Sequence, residues 1–177
     1  MRHAYLIIAH NEPLILKTLI SMIDDARNDI FLLIDKRSNI SLFNDINTQK
    51  SKLFLCDRLN IYWGHYNIIK AELILFETAV KHGKYEYYHL LSGTCLPIKS
   101  QDYIHNFCNL HAGSEFIGYI NTDFSKKDIE RKTGYYHFFV SNFANPNLFF
   151  RITKLQGLIF NLQKLLHIER KHKIPFF

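Results

Sequence analysis

Residues 4–35 read AYLIIAHNEPLILKTLISMIDDARNDIFLLID, and this stretch decides the fold. Ala4–Ala9 is an unbroken apolar run, the pattern of a strand covered on both faces rather than one. His10 and Asn11 follow, and Asn11 is a candidate helix cap with Pro13 in the first turn. Leu16, Leu19, Ile20 and Ile23 then recur at i, i+3, i+4, i+7, which lays one apolar stripe along a helix. Asp29–Ile34 is a second apolar run, and it ends at Asp35. Buried strand, amphipathic helix and buried strand in that order make a βαβ unit, whose strands lie parallel.

The pattern continues outward from there. Lys52–Cys56 reads as a third strand, ending at Asp57. A helix is expected from about Asn67 to His82, with Gly83 as its C-terminal cap. Glu86–Leu91 is a fourth strand. Ser100 is placed to cap a helix carrying Ile104, Phe107 and Leu110, and Glu115–Ile120 reads as a fifth strand. Alternation of this kind predicts an α/β chain, a Rossmann-like parallel sheet with helices on both faces. Past residue 120 the character changes. Residues 121–132 are polar, Tyr135–Phe139 is strongly aromatic, and Leu148, Ile152, Leu155, Ile159, Leu162 and Leu166 define a long amphipathic helix. Two regions are therefore expected, 1–120 for binding a ligand at the strand ends and 121–177 as an aromatic and basic helical segment.

Composition bounds what the chain does. Apolar residues make up 47% and aromatics 15%, which excludes a disordered segment. The net charge is +6, but Met1–Pro146 carries 16 basic against 15 acidic residues, and residues 147–177 carry six basic residues against Glu169 alone. A main body so near neutrality argues against a nucleic-acid partner. The basic excess of 147–173 offers at most a peripheral membrane contact, and packing is the commoner use of such a helix. The apolar run after Met1-Arg2-His3 is too short for a secretory signal core, so a cytoplasmic setting at the inner face of a membrane is expected. Cys56, Cys95 and Cys108 show no C-x-x-C spacing and read as isolated thiols. The ten histidines match no ligand spacing, His105 and His111 standing six apart, so no metal site is expected.

Ligands of an open parallel sheet lie beyond the carboxyl ends of its strands. That rule selects His10, Asn11, Asp35, Asp57 and the loops 62–66 and 92–99. A strand-end carboxylate can bond ribose hydroxyls or a uracil imide, although Asp57 reads better as a turn residue. No Gly-x-Gly-x-x-Gly is present, which argues against dinucleotides. No Asp-x-Asp is present either, so the carboxylate pair that holds a divalent ion on a sugar-nucleotide diphosphate is missing.

Four motifs in order carry a resemblance. They are Ala4-Tyr-Leu-Ile-Ile-Ala-His10, the strand ending Leu-Ile-Asp35, Ile61-Tyr-Trp-Gly64 with Ala71-Glu-Leu73, and Leu90-Leu-Ser-Gly-Thr-Cys-Leu-Pro-Ile-Lys99. Together they resemble the core-2/I-branching family of glycosyltransferases, and the Trp-Gly form is similar to its peptide xylosyltransferase branch. The resemblance implies the donor-binding half of a GT-A fold that inverts anomeric configuration without a metal cofactor. Its donor would be a UDP-sugar, GlcNAc- or xylose-like, and its acceptor a glycan or lipid-linked oligosaccharide. It implies donor contacts at Ile8, Ala9, His10, Asp35 and Trp63, and acceptor contacts at Glu115 and Arg131. It places the catalytic Glu and the diphosphate-holding Arg and Lys beyond Phe177, so no catalytic residue is assigned. Cys95 stands where the family usually has Asp. The alternative is a truncated, non-catalytic module that binds a nucleotide or partner.

Overall fold

The computed structural model describes residues 1–62, 64–116, 132–138 and 146–170, with the side chains of 146–151 outside the description. They fall into two compact units, one of residues 1–62 and 66–115, the other of 63–65 and 116–177.

The first unit is a parallel sheet of β1 (His3–Ala9), β2 (Asn28–Ile34), β3 (Lys52–Leu55) and β4 (Tyr87–Ser92) in the order β3-β2-β1-β4. That order puts β1 and β2 in the middle, which is why their sequences are apolar at nearly every position. Every residue of β2 is buried, and all of β1 except the half-buried Ile8. Alternation sends Tyr5, Ile7, Ala9, Ile30, Leu32 and Ile34 to one face, where they pack on Leu16, Leu19, Ile20 and Ile23 of α1 (Pro13–Ile23). Ala4, Leu6, Phe31 and Leu33 face the other way, onto Ala71, Leu75 and Ala79 of α2 (Asn67–His82). The α/β fold with helices on both faces is as the sequence predicts. The edge strands β3 and β4 are only partly buried, since each has one neighbour instead of two.

Three local expectations need correction. Asn11 does not cap α1; the cap position falls on Glu12, whose φ of 56° lies in the left-handed region and whose side chain makes no capping bond. Pro13 disfavours right-handed helical geometry at the residue before it, and the chain turns the other way. Gly83 does end α2, donating its N–H to the Ala79 carbonyl at 3.1 Å, but its φ of 177° is extended, so the turn makes no use of glycine's freedom. In α3 (Gln101–Leu110) Ser100 caps as expected, accepting from the Tyr103 N–H at 3.3 Å. The buried side of α3, however, is Gln101, His105 and Cys108, while Phe107 and Leu110 are exposed. Glu115 and Phe116 are not in a strand, and the rest of the expected fifth strand, 117–120, lies outside the described residues.

In the second unit α4 (Pro146–Leu165) carries the expected long helix. The Gln163 side chain clamps the backbone of Tyr136 from both sides, accepting its N–H at 2.9 Å and donating to its carbonyl at 3.1 Å. Tyr135 meets Phe160 edge-on at 4.8 Å. Ile152 is buried, whereas Leu155, Leu162 and Leu166 are exposed. Among the described residues no helix is long and apolar enough to cross a membrane.

Candidate functional site

The carboxyl ends of β1, β2 and β4 come together around Ala9. The Asp35 N–H donates to the Ala9 carbonyl at 2.7 Å, which ties the end of β2 to the end of β1. On the other side the Gly93 N–H donates to the Ile8 carbonyl at 2.8 Å. The approach is so close that a Cβ on Gly93 would stand 2.8 Å from the Ala9 Cβ and 3.2 Å from its Cα. Only glycine fits there, which is the physical content of the Ser92-Gly93 motif.

Asp35 is buried, and its carboxylate is fully engaged. Arg37 Nη2 donates to Oδ2 at 2.7 Å and Arg37 Nε to the same oxygen at 3.1 Å. The backbone N–H groups of Arg37 and Ile61 donate to Oδ1 at 2.9 and 3.3 Å. Burial pushes the Asp35 carboxyl up, and the hydrogen bonds from Arg37 and Ile61 outweigh it, leaving the pKa below the usual carboxylate range. The same pairing raises Arg37. Arg37 also donates to the Ile61 carbonyl and lies over the Tyr62 ring at 4.4 Å. Its side chain is 42% exposed against 2% for Asp35, so the pair presents a fixed cation at the strand ends and keeps its anion inside. A second guanidinium, that of Arg58, bonds the carbonyls of Ile34, Asp35 and Ser38 at 3.1, 2.8 and 2.6 Å and locks the turn that follows β2.

The structure thus brings Ile8, Ala9, His10 and Asp35 to one edge, with Ile8 half-buried and His10 exposed. Trp63 and Arg131 lie outside the described residues, and Glu115 is exposed beyond α3. Asp57 is exposed at the end of β3. Arg37 and Arg58 were not legible as site residues. Asp35-Lys-Arg37 looks like an ordinary charged turn until Ile61 and Tyr62, some two dozen residues on, close over it. The second unit holds a separate cavity of about 340 Å³, lined in part by Lys132, Tyr136, His137, Phe138 and Phe160.

The model of the family described as "Branch: Core-2/I-Branching enzyme" matches residues 3–146. The chain belongs to the core-2/I-branching enzyme family. No curated protein matches it. Family membership carries glycosyltransferase activity in general, and the matched span contains the whole parallel sheet. In this core-2/I-branching chain Ile8, Ala9, His10 and Asp35 share the strand-end edge, where Arg37 is partly exposed.

Proposed function

We propose that the chain uses a UDP-sugar, with the carboxyl ends of β1 and β2 forming the nucleotide side of the donor site. The observation that carries this reading is the Arg37 guanidinium, immobilised by Asp35 and stacked on Tyr62 at the edge where parallel sheets bind nucleotides. A planar cation held in place suits a diphosphate or the face of a base, and it needs little reorganisation when the ligand arrives. Ile8, Ala9 and His10 line the edge, and the resemblance adds Trp63, next in sequence to Tyr62, as a donor contact. Asp35 acts chiefly through Arg37, since both its oxygens are spent on internal partners.

In the reaction proposed, an acceptor hydroxyl of a glycan or lipid-linked oligosaccharide displaces UDP from the anomeric carbon in one inverting step. The sugar is GlcNAc- or xylose-like. A base takes the hydroxyl proton, and fixed cationic side chains, in place of a carboxylate-held metal, stabilise the charge that develops on the departing diphosphate. The absence of Asp-x-Asp from the sequence supports the metal-free part of this reading.

Titration calorimetry with UDP is the test. Asp35→Ala, Arg37→Ala and Trp63→Ala should each weaken binding by about 1–3 kcal/mol through loss of a charge-assisted bond or a stacking contact. Absence of binding heat at millimolar UDP in the folded wild-type chain would overturn the assignment. Wild-type affinity in all three variants would do the same.

A further inference from the structure

At the opposite end of β1 the sheet buries imidazoles. His3 begins β1 and is fully buried, His105 lies on the buried side of α3, and His89 is half-buried in β4 beside Tyr5. The His3 and His105 rings stack at 3.9 Å, and Tyr5 stacks on His89 at 4.6 Å. Cys108, three residues after His105 and so on the same side of α3, is buried against them. Donor atoms of His3, His89 and Cys108 all lie within 4.8 Å of one another. None of this shows in the spacing along the chain, because the three come from two strands and a helix.

The hydrogen-bond network around these rings is incomplete. Asn28 donates its amide to the Ile23 carbonyl and to Gln101 Oε1, both at 2.8 Å, which fixes which way the amide faces. Its oxygen therefore turns to His105 Nε2 at 2.9 Å, and that nitrogen must carry the proton. In a neutral ring Nδ1 of His105 is then a bare lone pair, and it is buried without a partner. His3 Nε2 is also buried without one. Unpartnered buried polar atoms are costly, and these two mark the ring layer around His3 and His105 as short of hydrogen-bond partners.

We propose that His3, His89 and Cys108 form a zinc site that pins β1, β4 and α3 together. His3 Nδ1 and His89 Nε2 face each other at 3.1 Å, a hydrogen bond that a metal between them would replace. Two zinc–nitrogen bonds of about 2.05 Å spanning that gap meet at an angle of about 100°, near tetrahedral. The edge of a tetrahedral nitrogen and sulfur shell is about 3.3–3.6 Å, so the widest gap has to close by at most about 1.5 Å. Imidazole and thiolate select zinc over magnesium or calcium, which take oxygen ligands. Binding converts the Cys108 thiol to a thiolate and releases its proton to solvent, the metal supplying the compensating charge. The site stands a full strand, about 20 Å at 3.3 Å per residue, from Ala9, and so is structural and apart from sugar transfer.

The tag-free chain should bind one equivalent of zinc firmly enough to survive gel filtration, and its melting temperature should rise with zinc. Cobalt(II) in its place should give tetrahedral visible bands and a thiolate charge-transfer band. These signals should vanish in Cys108→Ser and weaken in His89→Gln, while Cys56→Ser and Cys95→Ser keep them. X-ray absorption at the zinc edge of the loaded wild type serves if a variant fails to fold. A mixed nitrogen and sulfur shell supports the site. No retained zinc, an all-oxygen shell, or charge transfer that persists in folded Cys108→Ser overturns it.

Discussion

Replacing Asp35 by Asn isolates the ion pair on which the candidate donor edge is built. The carboxylate is 2% exposed and holds Arg37 through its guanidinium and two backbone N–H groups through Oδ1. Asparagine keeps an oxygen for the N–H groups but loses the charge and turns an NH2 towards a guanidinium. Breaking one partner of a fully buried pair costs about 3–5 kcal/mol. Arg37, at 42% exposed, recovers much of its hydration, which brings the expected loss down to about 2 kcal/mol. Urea unfolding of both proteins, followed by circular dichroism at matched slopes, measures it. The pH dependence gives the sharper test. The folded pKa of Asp35 is lowered, so its contribution is present above the unfolded value and disappears as pH falls through the folded one. The gap between wild type and Asp35→Asn should be constant from about pH 7 to 5 and shrink below about pH 4. Lowered pKa values at Asp24 and Asp25 make both proteins acid-labile, but these cancel in the difference. A gap that stays unchanged at low pH, or widens, would refute the argument that the ionised carboxylate holds Arg37.

Two further predictions follow from the same edge. Gly93→Ala places a Cβ 2.8 Å from that of Ala9, and relief requires β4 or the end of β1 to move; a loss of about 1–3 kcal/mol on thermal or urea unfolding is expected, with weaker UDP binding by calorimetry. UDP affinity should be equal in EDTA and in added manganese, and a tenfold gain with metal, about 1.4 kcal/mol, would reveal a carboxylate site on the diphosphate and contradict the metal-free reading.

The sheet was legible in the sequence because its signals are local. A short apolar run between turn residues reads as a strand covered twice, and the i, i+3, i+4, i+7 spacing of Leu16 to Ile23 states which face of α1 is buried. The motifs from Ala4 to Lys99, taken in order, also sufficed to point to the family that the match over 3–146 supports. Tertiary structure decided what each polar side chain does. Asp35 reads in the sequence as a ligand for a nucleoside; the fold adds that its carboxylate is buried and holds Arg37, because Ile61 and Tyr62 return over it. In α3 the apolar spacing of Ile104, Phe107 and Leu110 pointed to the wrong side of the helix. The sheet offers that helix His3, His89 and Tyr5, so the residues drawn inwards are Gln101, His105 and Cys108. Periodicity reports how much apolar surface a face carries, whereas the partners of a buried polar group come from distant strands and exist only once the chain has folded.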